Sequence, residues 1–459
     1  MEKISTLPKK TGIAMTQTLL DAPSLPLDGK PSDLPTLKRI LLARLSTGHF
    51  LADIFAGFML PLLPMLAHKL GLGLGVTGLI LTVSSFSSSV LQPGFGWLSD
   101  KFKGFNYVLV GVCIAALFIS QIGTATSLPH LLALVALGYV GVGLFHPQGT
   151  TLADNLSQGD RNAVMGMFIS IGTLGFASGP ILSSTLVSNF GLEGTLYAGA
   201  AIFLALPLLW KVPAQVSGYQ DQRKQLDNLT HEDILVNEDI LTIEKSNPLQ
   251  KPTPVSNNLT QNLKNLSRAE QKLLGQLSLI GICRAVLLVG LPTYLPFFWT
   301  EKGYSVQAIG WVIGISSLVG VPFGIWAGKL GDRLGEKILM VLSFVPTLIL
   351  LPIMFWVEDW LGFTAFILLT GFLEATLATS LVIGLKGIQA FPNTISAIVG
   401  GFSWGIAGLF MPLIGWGSEI FGIAPVLMLL TSLAAVALIL SLLLPDAFHK
   451  PVQLLKSRS

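Results

Sequence analysis

Charge is scarce in this chain. Of its 459 residues 12% are Asp, Glu, Lys or Arg, 51% are hydrophobic, and the mean hydropathy is +0.68. Soluble domains carry about 25% charged residues, so a water-soluble core cannot account for this balance. Cysteine is scarcer still. Cys113 and Cys283 lie far apart in apolar stretches, which argues against a disulfide framework or a thiolate metal site and leaves two packed thiols. A net charge of +3 marks no nucleic-acid surface, and no nucleic-acid motif is present, so no such partner is expected. Absent too are a phosphate-cradling glycine loop and a nucleophile and base in a recognisable motif. The chain is therefore expected to be neither an enzyme nor a user of ATP, and no cofactor is expected. Residues 1–37 lack the apolar core and small-residue cleavage site of a signal peptide, and read as a disordered cytoplasmic tail.

What the chain does have is long apolar runs. A helix needs roughly 20 apolar residues to cross a bilayer. Segments of that kind fall at 40–66, 76–98, 105–126, 130–153, 163–189 and 195–212, and again at 273–299, 306–330, 337–357, 361–388, 393–421 and 423–445. The stretch between the two sets is rich in Asn, Gln, Asp, Glu and Pro, a linker composition that cannot enter a membrane. The expected organisation is a tail (1–37), a six-helix bundle (38–212), a cytoplasmic central loop (213–272), a second six-helix bundle (273–446) and a tail (447–459). All but three of the 28 Lys and Arg fall in the tails, the central loop and the even-numbered loops, the exceptions being Lys69, Lys302 and Arg284. The positive-inside rule then places both termini in the cytoplasm of a multi-pass protein of the plasma (inner) membrane.

The two sets look like copies. "GWLSDKF" (96–102) and "GKLGDRL" (328–334) align Gly96 with Gly328 and Asp100 with Asp332, and at the same separation Pro64 meets Pro296 and Pro180 meets Pro412. Parallel six-helix repeats are the architecture of the major facilitator superfamily, with the substrate path between the halves. The fold expected is an all-α membrane protein of twelve transmembrane helices in two pseudo-symmetric six-helix bundles.

Two motifs support that resemblance. Gly96, Asp100 and Lys101 after span 2, and Gly328, Asp332 and Arg333 after span 8, resemble the superfamily's cytoplasmic-loop signature. Glycine permits close helix approach, the aspartate can pair with a cation or a helix N-terminus, and the basic residue anchors at the headgroups, which together suit a gate latch. In span 5, Gly166, Gly175, Gly179 and Pro180 follow the spacing of the signature associated with exporters, although Ser183 and Ser184 stand where that signature ends in two glycines. Proline and glycine so placed give a bend and a smooth packing face.

More closely, "GHFLADIFAGFMLPLLP", "LQPGFGWLSD", "GLFHPQ" and "CRAVLLVGLPTYLPFF" resemble the fosmidomycin-resistance family of major facilitator proteins over both halves. The resemblance implies a monomer in the lipid bilayer that exports a small organic molecule in exchange for protons. It also implies that spans 1, 4, 7 and 10 line the cavity.

Those four spans hold the buried polar groups. Span 1 has His49 and Asp53, four apart and on one face; span 4 has His146 and Gln148; span 7 has Arg284 and Tyr294; span 10 has Glu374. Each charged group costs several kcal/mol if it faces lipid, so all seven are candidates for a substrate and proton cavity. Counted along their helices, His49 and His146 lie level at about 12 Å depth, and Asp53, Arg284 and Glu374 at about 18–20 Å, which suggests a charge pair across the cavity. Asp53 and Glu374 are candidate proton carriers or structural partners, Arg284 attracts an anion or bridges a carboxylate, and the histidines relay protons or brace helices. His49, Asp53 and His146 also make a candidate N/N/O set, but their spacing is no recognised ligand motif and no metal is expected. A metabolite or divalent-metal importer of the same fold, and a non-transporting receptor or scaffold, are the alternative readings.

Overall fold

The computed structural model describes residues 34–102, 104–157, 161–235, 266–357, 360–388, 395 and 397–445. The tail before residue 34, the tail after 445 and the middle of the central loop lie outside the described residues. Among the described residues, eleven helical segments are long and apolar enough to cross a membrane. In chain order they are α1 (Leu34–Leu70), α2 (Leu74–Lys101), α3 (Tyr107–Thr124), α4 (Leu128–Leu156), α5 (Val164–Phe190), α6 (Leu192–Leu226), α7 (Arg268–Glu301), α8 (Val306–Gly331), α9 (Glu336–Trp356) and α10 (Trp360–Gly387). Then comes α11, a π-helical turn Ala397–Phe402 running into the α-helix Ser403–Phe421, and the last of the eleven, α12 (Ile423–Leu442). The twelve spans expected are matched by eleven on length and apolarity. Glycines, Pro412 and Glu419 make α11 less apolar, and it spends one face on the opposite half.

Local chemistry sets the ends. Ser127, Ser267 and Ser305 cap α4, α7 and α8, with Glu270 completing a capping box at Ser267. Gly71, at φ 62°, stops α1 in a left-handed turn that a side chain would strain.

The first six spans pack together, as do the last six, and the halves are joined chiefly by two crossings, α2 on α11 and α5 on α8, with the far end of α1 also touching α7 and α8. Both crossings are tight toward the end away from the chain termini. There a Cβ at Gly75 or Gly78 would strike Trp416 or Met411 of α11, and one at Gly310 or Gly314 would strike Ser184 or Ala177 of α5. Thr82 Oγ1 donates to the Gly408 carbonyl at 2.7 Å, and Glu419 of α11 accepts from Gly75 N–H at 3.0 Å, capping the start of α2 from the other half. Toward the terminal end Gly94 in α2, Gly166 in α5 and Gly324 in α8 have none of the described residues within contact distance. The halves are closed at the far end and splayed at the terminal end. Along α2 and α11, π-helical turns at Phe86–Val90 and Ala397–Phe402 fall where that pair begins to part.

The segment expected to be a linker from residue 213 opens instead as a helix, Val212–Leu235. Val212, Val216 and Tyr219 are buried, and Arg44 of α1 donates to the Leu208 carbonyl and to Gln215 Oε1, both at 2.7 Å. The polar composition suggested a linker, but a thin apolar stripe suffices to dock this helix on α1.

Candidate functional site

Both oxygens of one carboxylate are engaged in the first half, each by an imidazole. His49 and Asp53 sit one turn apart on α1, and α4 carries His146 against them. His49 Nε2 lies 3.2 Å from Asp53 Oδ2, and His146 Nε2 lies 3.4 Å from Asp53 Oδ1. The His49 ring is held rigidly. It stacks on Phe168 of α5 at 4.2 Å and on Phe145 of α4 at 5.5 Å between centroids, and meets His146 edge-on at 5.3 Å. Its Nδ1 is 2.9 Å from the Phe168 carbonyl. A carbonyl only accepts, so Nδ1 carries hydrogen and Nε2 is turned to the carboxylate. The space is provided by Gly172 of α5, where a Cβ would collide with both the His49 ring and Asp53.

In the second half, Arg284 of α7 is 1% exposed, with Nη1 3.9 Å from Oε2 of Glu374 on α10. Trp404 of α11 lies under the guanidinium, 5.4 Å from its central carbon to the ring. Among the described residues, neither Nη1 nor Nη2 has a hydrogen-bond partner. A guanidinium is a planar fork of donors, and leaving two of its nitrogens unbonded in the interior is costly. Glu374, its side chain 31% exposed, packs over Gly320 of α8.

Three expectations need correction. Opposite charges do not pair across the halves: Asp53 is taken by the histidines of its own bundle and Arg284 by Glu374 of its own, because splayed halves leave each side chain nearer to partners inside its bundle. Gln148 is not part of the cluster two residues before it. Its Oε1 accepts from Val108 N–H at 3.0 Å and its Nε2 donates to the Phe105 carbonyl at 2.9 Å, so it splices α4 to the start of α3. Tyr294 is fully buried, and its hydroxyl donates to the Met411 carbonyl, holding α7 to α11. Gln148→Ala should therefore act on stability rather than on binding. The buried Val108 N–H loses its partner, a loss of about 1–3 kcal/mol, while the Phe105 carbonyl, on an exposed residue, can turn to water; the expected readout is a lower unfolding temperature in detergent with unchanged substrate affinity.

The motifs divide similarly. Gly175 and Gly179 press on the backbone of Phe50 and Ile54 in α1, and Pro180 lies beside Gly57 and Gly310, but Gly166 meets none of the described residues. At the end of α2, Asp100 is exposed, Gly96 is loosely packed, and Lys101 lies over the rings of Trp97 and Phe102 at 4.8 and 5.4 Å. Arg333 is exposed in the last turn of the eighth helix, and the surroundings of Gly328 and Asp332 lie outside the described residues. Phe168, Gly172, Trp404 and Glu419 escape a reading of the sequence, since an aromatic or small residue in an apolar span looks like ordinary packing. Glu419 alone carries a signal, a carboxylate in an apolar run.

Residues 45–386 match the family model of the Major Facilitator Superfamily. The chain belongs to that superfamily. It resembles the fosmidomycin resistance protein of Escherichia coli (strain K12), with 23% identity over 424 residues, 89% of this chain and 94% of the relative. It also resembles the multidrug resistance protein MdtG of Citrobacter koseri, with 25% identity over 74% of this chain and 78% of the relative. Among solved structures, a bacterial homologue of the human lysosomal transporter Spinster, in an inward-facing and unoccupied conformation, superposes with a TM-score of 0.65 at 13% identity, covering 90% of this chain and 97% of that one. A point mutant of the nucleoside transporter NupG superposes with a TM-score of 0.63 at 14% identity, covering 88% of this chain and 99% of that one. This major facilitator protein is thus a multi-pass membrane transporter with efflux-type relatives, and not an enzyme.

Proposed function

We propose that this major facilitator protein is a proton-coupled exporter of a small polar organic molecule, working by alternating access. The observation that carries the reading is the pair of buried Arg284, with its unbonded guanidinium nitrogens, and partly exposed Glu374, on two of the spans that the superfamily uses for its cavity. With both termini in the cytoplasm, as the distribution of Lys and Arg argues, the splayed end faces inward and the closed end outward. Substrate then enters from the cytoplasm. An acceptor group on it takes the spare Arg284 N–H donors, and a donor or cationic group takes the Glu374 carboxylate. On the outer side a proton takes the place of that donor on Glu374, and the substrate leaves. Proton and substrate share one acid, which is the condition for antiport. Arg284 is the charged group that α7 presents to Glu374, α8 presents Gly320, and on α9 Glu336 pairs with Lys386, about 18 Å further along α10. The efflux names of the relatives support the direction.

Proteoliposomes with an imposed pH gradient, offered a panel of small polar molecules that includes fosmidomycin, test this. The wild type should move substrate against its gradient and protons the other way. Glu374→Gln should keep exchange of labelled for unlabelled substrate and lose all response to the pH gradient. If Glu374→Gln still follows the pH gradient, Glu374 is not the shared acid; if substrate accumulates with the proton, the protein is an importer.

A further inference from the structure

We propose that His49, Asp53 and His146 bind a single divalent transition-metal ion of the zinc and cobalt class. Spacing along the chain argued against a metal, because the three donors form no contiguous motif. The fold removes that separation. One ligand atom from each residue lies within 4.8 Å of the other two. More telling are the individual distances, 3.2 Å from His49 Nε2 to Asp53 Oδ2 and 3.4 Å from His146 Nε2 to Asp53 Oδ1. A tetrahedral ion about 2.0–2.1 Å from its ligands spaces them about 3.3 Å apart, so the edge from His49 Nε2 to Asp53 Oδ2 is already at length, and His146 Nε2 stands against the other oxygen of the same carboxylate.

The surroundings of His49 are those of a metal ligand. The Nδ1–H donated to the Phe168 carbonyl leaves the Nε2 lone pair for the ion, and a ligating histidine commonly makes this second contact to a carbonyl or carboxylate. Phe145 and Phe168 fix the ring plane. Two imidazoles and one carboxylate select zinc, cobalt, nickel or copper over magnesium or calcium, which favour all-oxygen sites. His49 is buried, while the side chains of Asp53 and His146 are 15% and 26% exposed, so the fourth position opens on the side where solvent reaches. The ion is exchangeable. Helices α1 and α4 are packed by apolar contacts and need no metal to fold.

Cobalt(II) titration of the full-length, tag-free protein in detergent tests this without reference to transport. Expected are the visible d–d bands of a tetrahedral ion, saturating at one equivalent and bleached by zinc. His146→Ala and Asp53→Asn should each weaken binding at least about 100-fold, beyond what loss of an outer-shell partner gives. His146→Asp should retain a site, and His68→Ala and His130→Ala should change nothing. Size-exclusion profiles show that each variant is folded. Absence of tetrahedral bands in wild type, or a stoichiometry unmoved by His146→Ala in folded protein, overturns the proposal. Transport measurements on the same protein leave this result unaffected, so the exporter reading and the metal site stand or fall separately.

Discussion

Arg284→Met should reduce transport to background while leaving a folded protein. Met fills the volume of the arginine stem and keeps the contact with Trp404, but removes the donors that face an incoming acceptor. A charge-assisted hydrogen bond contributes about 1.5–3 kcal/mol, so two lost together weaken substrate binding by at least about 100-fold. The variant also strips Glu374 of its cation. Breaking a fully buried pair costs about 3–5 kcal/mol, and because Glu374 is partly exposed, about 1–3 kcal/mol is the expected loss after allowing for solvent. Binding and stability separate in the double variant. Arg284→Met with Glu374→Gln removes both charges and should recover most of the unfolding temperature, yet none of the transport. Arg284→Lys should not rescue, since an ammonium cannot reproduce the planar fork. Thermal unfolding and counterflow in proteoliposomes read the two effects. Recovery of transport in the double variant would mean that Arg284 serves only to neutralise Glu374.

How much of this was legible beforehand follows from what kind of information each residue carries. A charge in an apolar span announces itself, because it must be satisfied somewhere; hence His49, Asp53, His146, Arg284 and Glu374 could be picked out, and they form the two clusters. Their pairing could not be read. Depth along a helix says which groups are level, but the rotation of each helix and the splay of the halves decide which of them touch. Gln148 shows the limit well: a polar side chain beside His146 points a different way and spends both ends on the α3 backbone. Repeats and glycine spacing pointed to the two-bundle fold, since each span must be apolar end to end. Glycines were ambiguous at single positions, as Gly166 and Gly175 share a motif and only the latter is packed. The helix Val212–Leu235, which carries the sixth span on past its apolar part, was missed because three buried residues are too few to outweigh a polar composition.

The closed end makes the strongest mechanical claim. If each half moves as a rigid body, the α2–α11 and α5–α8 crossings must open together, since both hold the same end shut. Gly78→Leu tests this, because its side chain would occupy the backbone of Met411 and Pro412, where even a Cβ falls 2.6 Å away. Backbone cannot yield as a flexible side chain can, so the closed far end is lost and the splayed state becomes inaccessible. Transport should fall to background. The informative site is on the other crossing: Ser184 is fully buried, its Oγ facing Gly310. In a background with Cys113 and Cys283 replaced, Ser184→Cys should resist a membrane-impermeant thiol reagent. Adding Gly78→Leu should make it react at least about tenfold faster, although the two positions are on different helix pairs, because a two-state rocker couples them. Continued protection of Ser184→Cys in folded Gly78→Leu protein would show that the crossings open independently, and that this transporter gates by bending single helices, with the π-helical turns in α2 and α11 as the places to bend.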